Sequence, residues 1–132
     1  MILLYAHSGI RYLVLLTGVA VVLFALAGVV GRKPYDPRMR VLSGVFAMFM
    51  HLNVLLGLAL LFTRPFAPYL IGHISLMIFA AVAAQVVPSV MRRRPVEERT
   101  WMPHLVGAAV ALGLVVAGLM AIQAPLFGSR YS

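Results

Sequence analysis

The sequence contains no cysteine and only three acidic residues in 132. Without cysteine the chain cannot form disulfides, thiolate metal sites or a covalent haem attachment, because each needs a sulfur atom. The acidic residues Asp36, Glu97 and Glu98 all lie outside the long apolar runs. Hydrolase chemistry is therefore poorly supported, since Ser8 beside His7 has no acid within the runs to orient it.

Apolar side chains dominate the chain, with 63% hydrophobic and 11% charged residues and a mean hydropathy of +1.01. Such values lie outside the range of soluble globular domains. A helix needs roughly 20 apolar residues to cross about 30 Å of hydrocarbon. Four runs reach that length, at residues 2–30, 41–62, 68–91 and 101–126. The prediction is an all-α fold, a single integral membrane domain over residues 1–132 with four transmembrane helices.

Two features fix the expected topology. Short, proline-containing connections predict that successive helices are antiparallel neighbours in an up-down-up-down four-helix bundle. Eight of the eleven basic residues lie in the first and third connections: Arg32, Lys33, Arg38, Arg40, Arg92, Arg93, Arg94 and Arg99. By the positive-inside rule these connections are cytoplasmic and both termini are periplasmic. The net charge of +8 thus indicates topology and contact with anionic lipid headgroups in the bilayer, and no nucleic-acid partner is expected.

The start of the first run has no basic residue of the kind that begins a signal peptide, and Arg32 and Lys33 follow the run. We therefore expect this run to be retained as helix 1.

Four histidines are the ionisable side chains that most invite a functional interpretation, because ionisable groups inside a bilayer are costly. Counting inward from the basic flanks at about 1.5 Å per residue gives each a depth. His73 falls near the outer interface, His7 slightly beyond it and His51 near the midplane. His104 falls one turn inside the cytoplasmic end of helix 4, where we expect an interfacial residue beside Trp101.

His7 and His73 are predicted at similar heights on helices 1 and 3, which are diagonal in the expected bundle. Facing helices can supply two imidazoles to one haem iron, so these residues are candidate axial ligands. Arg11, one turn from His7, is the candidate partner of the haem propionates. The alternative is that His7 is an interfacial residue and that Arg11 reaches the lipid headgroups. Arg64, in the outer connection, is expected to take no part.

His51 has more than one interpretation. It is a substitute haem ligand for either His7 or His73, a hydrogen-bond donor to a quinone carbonyl, or a structural residue bonded to a partner such as Ser43, Asn53 or a neighbouring carbonyl. A partner is required in each case, since the membrane interior has no water to satisfy a ring nitrogen.

Three motifs carry a resemblance to a known family: "HSGIRYLVLL" in helix 1, "MHLNVLLGLALLF" in helix 2 and "GHISLMI" in helix 3. Together they resemble the small bacterial four-helix membrane proteins known as cytochrome B or b-type cytochrome-like proteins. The resemblance implies haem b bound by histidines, here His7, His51 and His73, and a multi-pass protein of the bacterial inner membrane. The sequence departs from the family pattern at Gly72, where an acidic residue would be expected.

The expected function is therefore electron transfer by a membrane b-type haem protein, as a subunit or partner of a respiratory or photosynthetic complex. The expected protein partners are subunits of such a complex or further copies of the same chain. The alternative is a haem-free accessory subunit that binds a quinone or has a purely structural role.

Overall fold

The computed structural model describes residues 2–123 and folds them into four α-helices. These are α1 (Ile2–Val30), α2 (Pro37–Leu60), α3 (Leu70–Arg93) and α4 (Met102–Ala121). Each is long and apolar enough to cross a membrane, which confirms that prediction and is typical of a multi-pass membrane protein. The described range contains no strand. The predicted end of the fourth helix, residues 124–126, lies outside the described residues.

Helix α2 begins four residues earlier than the hydropathy predicts, because a capping residue sets its start and the apolar run begins only later. Asp36 is the N-cap, and its carboxylate accepts a hydrogen bond from the Arg38 backbone N–H at 2.9 Å. Pro37 follows in the first turn, where its missing N–H would have had no helical partner. Hydrogen bonds from the Arg38 side chain and backbone lower the pKa of the Asp36 carboxyl. The carboxylate therefore stays charged at the positive end of the helix.

The helices follow chain order around the bundle. Helix α1 packs against α2 and α4, and α3 packs against the same two helices, so α1 and α3 are diagonal. His7 near the start of α1 bonds to Asn53 late in α2, and His73 near the start of α3 bonds to Gly118 at the end of α4. We call the end of the bundle that holds the connections at 31–36 and 94–101 the "basic end". The opposite end, where the cavity described below opens, is the "cavity end".

Small residues let the helices approach closely inside the bundle. The buried stripe of α1 has seven members, and from Arg11 onward they recur every three to four residues: Leu4, Arg11, Val14, Gly18, Val21, Ala25 and Gly28. A Cβ added at Gly18 would lie 2.9 Å from Phe46 of α2. Buried positions of α3 include the small residues Ala80, Ala81 and Ala84. Such stripes are the usual packing surface of membrane helices.

At the basic end, Trp101 holds the first connection against α4. Its indole lies directly over Gly28, so closely that a Cβ at that position would overlap the ring. The indole N–H donates to the Lys33 carbonyl at 2.9 Å, and the Phe24 ring lies 5.3 Å from the indole between centroids. Gly28 is therefore required by the close approach of an aromatic ring.

Replacing Gly28 by alanine should destabilise the bundle by about 1–3 kcal/mol, the usual cost of overpacking a filled interior. The measurement is the free energy of unfolding by SDS titration of the purified protein. Gly113→Ala in α4 is the control, because a Cβ there meets nothing within 4 Å. Equal losses of stability in the two variants would contradict the packing described for Trp101.

Candidate functional site

A cavity of about 580 Å³ opens at the cavity end of the bundle. All four helices and the connection between α2 and α3 contribute to its wall, and most of the lining side chains are apolar. Its volume falls within the roughly 300–1,000 Å³ of small-molecule and cofactor pockets. The polar residues of the wall include His7, Arg11, Asn53, Arg64 and His73.

His7 is held in this wall by helix α2. Its Nδ1–H donates to the backbone carbonyl of Asn53 at 3.0 Å. The imidazole also lies against Gly57, one turn further along α2, where an added Cβ would be 2.9 Å from the ring Cε1. The absence of a side chain at Gly57 thus makes room for His7.

His73 is held in the same way by helix α4. Its Nδ1–H donates to the backbone carbonyl of Gly118 at 2.8 Å. Gly118 is within the last four residues of α4, whose carbonyls have no N–H partner within a completed helix. The bond therefore fixes the imidazole and satisfies a polar group at the helix end.

His7 and His73 have the same tautomer in their neutral form. A carbonyl oxygen only accepts hydrogen bonds, so each Nδ1 must carry the proton and each neutral ring keeps its lone pair on Nε2. Both rings line the same cavity. A histidine whose Nδ1–H is bonded to a backbone carbonyl is the usual arrangement of a metal-binding imidazole. The cavity wall thus contains two imidazoles from diagonal helices, each with the lone pair of its neutral form on Nε2.

Two arginines bring positive charge to the same cavity. Arg11 is only 8% exposed, and its guanidinium donates to the Tyr12 hydroxyl at 3.2 Å and lies 4.9 Å from the centre of that ring. Arg64 also lines the cavity, although we expected it to take no part. The sequence gives only its place in an outer connection, and hydropathy cannot indicate that this connection folds back over the cavity.

His51 does not reach this cavity. It is exposed on the outer surface of α2, where its Nε2–H donates to the Gln85 side-chain oxygen of α3 at 2.8 Å. The sequence alternatives for His51 included a bond to Ser43 or Asn53, and the partner is a different residue. The structure therefore brings together His7, His73 and Arg11 and leaves His51 on another face.

His104 differs from its sequence prediction as an interfacial surface residue. It is 1% exposed, with the Ser43 hydroxyl 2.6 Å from Nδ1 and the Tyr35 hydroxyl 2.7 Å from Nε2. These bonds tie α4 to α2 and to the first connection, and burial raises the pKa of the Tyr35 hydroxyl. Tyr35 therefore stays protonated at neutral pH. Both ring nitrogens of His104 therefore have partners inside the bundle, and the folded connection that supplies Tyr35 could not be seen in the hydropathy.

Within residues 2–123, no group of three or more histidine or acidic side chains is arranged to hold a metal ion. The chain was also compared with known proteins. No protein-family model, curated protein or solved structure matches it.

Gly57→Val should push the His7 ring away from α2 and lower the free energy of unfolding by about 1–3 kcal/mol. SDS titration of the purified protein measures this loss. Gly44→Val on the same helix is the matched control, because an added Cβ there meets nothing within 4 Å. If both variants lose the same stability, His7 does not occupy the space beside Gly57.

Proposed function

We propose that this chain is a membrane b-type cytochrome that transfers electrons, with His7 and His73 as the axial ligands of one haem b. The observation that carries the proposal is the pair of imidazoles on diagonal helices, which line one cavity with Nδ1 bonded to backbone carbonyls. Facing helices of a bundle are a common scaffold for such ligands. The resemblance of the first three helices to b-type cytochrome-like proteins supports the same function.

The ligand set suits haem better than a bare metal ion. A porphyrin supplies four of the six ligands of its iron, so the protein need supply only two. His7 and His73 can do so without the larger cluster that a protein-bound ion would need among the described residues. The carbonyls of Asn53 and Gly118 would orient the two rings and raise their basicity, as such hydrogen bonds do for metal-bound histidines.

Arg11 and Arg64 would bind the two propionates. A guanidinium can form paired hydrogen bonds with a carboxylate, and the ion pair offsets the cost of an arginine in an apolar wall. Apolar residues such as Val14, Met50 and Met77 would exclude water from the porphyrin ring. Haem b in this cavity would accept and release one electron at a time.

The proposed setting is the bacterial inner membrane, with the basic end in the cytoplasm and the cavity end toward the periplasm. This orientation follows from the eight basic residues of the first and third connections. The termini are then periplasmic in an up-down-up-down bundle. An outward-facing haem could exchange electrons with a periplasmic or membrane redox partner, such as a subunit of a respiratory or photosynthetic complex.

Oxidised and dithionite-reduced absorption spectra of the protein purified from membranes test this function. We expect a low-spin bis-histidine haem b spectrum, which both His7→Ala and His73→Ala should abolish because each removes one iron ligand. His51→Ala should preserve that spectrum, since His51 lies outside the cavity.

Two results would contradict the proposal. A spectrum that survives in His7→Ala but is lost in both His51→Ala and His73→Ala would make His51 and His73 the ligand pair. A wild-type protein that folds in the membrane without haem, even when haem is supplied, would favour the haem-free accessory subunit.

A further inference from the structure

A second candidate site, which contains several polar side chains, lies on the outer surface of the bundle between α2 and α3. It is a shallow groove of about 360 Å³, lined by His51 from α2 and by one face of α3. That face carries three exposed valines and three polar residues, namely Val82, Gln85, Val86, Ser89, Val90 and Arg93. In a bilayer this surface faces hydrocarbon, and His51 lies just past the middle of α2. We call it the "outer groove".

The hydrogen bonds in the outer groove set the chemical state of His51. Its Nε2–H donates to the Gln85 oxygen at 2.8 Å, and the Gln85 amide donates to the Ser89 hydroxyl at 2.8 Å. Since the Gln85 oxygen can only accept, the proton of a neutral His51 is on Nε2. The lone pair on Nδ1 then remains available to accept a hydrogen bond.

Another polar side chain on the outer surface behaves differently. Thr17 of α1 donates its hydroxyl to the Leu13 carbonyl of its own helix at 2.7 Å. This hydroxyl therefore needs no hydrogen-bond partner outside its own helix. His51 has no such arrangement for Nδ1 within residues 2–123, and hydrocarbon cannot donate a hydrogen bond. A ligand with a hydroxyl group would satisfy this nitrogen.

We propose that the outer groove binds the headgroup of a membrane-soluble hydroquinone, with one phenolic hydroxyl donating to His51 Nδ1. The valines would contact the ring, and the open side of the groove would admit the ligand from the hydrocarbon. A phenolic O–H is a stronger donor than an alcohol, which favours a hydroquinone over a membrane alcohol such as a sterol. The oxidised quinone has carbonyl acceptors only, so it should bind less well. This site is separate from the haem cavity and its binding needs no haem.

Binding is tested with the full-length protein in phosphatidylcholine nanodiscs, prepared without haem. The probe is a radiolabelled decyl-tailed benzohydroquinone kept reduced under anaerobic conditions, and empty discs give the partition background. We expect saturable binding above that background. The dimethyl ether of the same ring and a sterol should each bind roughly tenfold more weakly, as expected for the loss or weakening of one hydrogen bond.

Variants locate the site. His51→Phe should weaken hydroquinone binding by roughly tenfold, and His51→Gln, which keeps an acceptor, should restore part of it. Thr17→Val is the matched control, because it also removes a polar group from the outer surface and should leave binding unchanged. If His51→Phe does not fold, the His51→Gln result and the dimethyl ether comparison still decide the proposal.

Three results would overturn it. They are equal binding of hydroquinone and its dimethyl ether, unchanged binding in His51→Phe, and binding at background level in the folded wild-type protein. The absence of cysteine allows one more check. A single Val82→Cys variant that forms disulfide-linked dimers in membranes would show that a second copy of the chain covers the groove.

Discussion

Hydrocarbon offers no hydrogen-bond partner, and the placement of each histidine depends on this constraint. A ring nitrogen within the bilayer must find its partner in the protein or in a bound ligand. His7 and His73 use backbone carbonyls, His104 uses two hydroxyls, and His51 uses the side chain of Gln85. These hydrogen-bond partners differ in which ring nitrogens they engage. His104 has partners at both ring nitrogens, whereas the hydrogen bonds of His7, His73 and His51 each engage one ring nitrogen, and the proposed sites use the other.

The proposed cofactor and ligand sites therefore lie in different parts of the bundle. The cavity proposed to hold haem is inside, near the cavity end, with two arginines in its wall. The outer groove is on the surface between α2 and α3, nearer the basic end. A hydroquinone bound there would bring a two-electron, two-proton donor to the same small chain that we propose to hold a one-electron centre. The two proposals remain separable, because one concerns iron ligation and the other concerns a hydroxyl contact.

The sequence predicted the helices well because their signal is strong. Apolar runs of more than 20 residues leave little alternative to a membrane span, and the four helices of the structure are long and apolar enough for one. The contacts made by residues of the connections could not be predicted from the sequence. Asp36 starts α2 early, Tyr35 reaches His104, and Arg64 folds onto the cavity. Each contact depends on backbone geometry across a turn, for which hydropathy and depth counting carry no information.

The haem proposal depends on His7 and His73 lining one cavity with Nδ1–H bonded to carbonyls, which leaves the lone pair of each neutral ring on Nε2. Nitrogen-15 NMR of the histidine rings in haem-free protein in nanodiscs measures this directly. We predict that both rings carry a proton on Nδ1, the tautomer opposite to that of His51. The opposite tautomer, with the proton on Nε2, in either His7 or His73 would contradict this assignment, because that nitrogen could then not serve as a ready iron ligand.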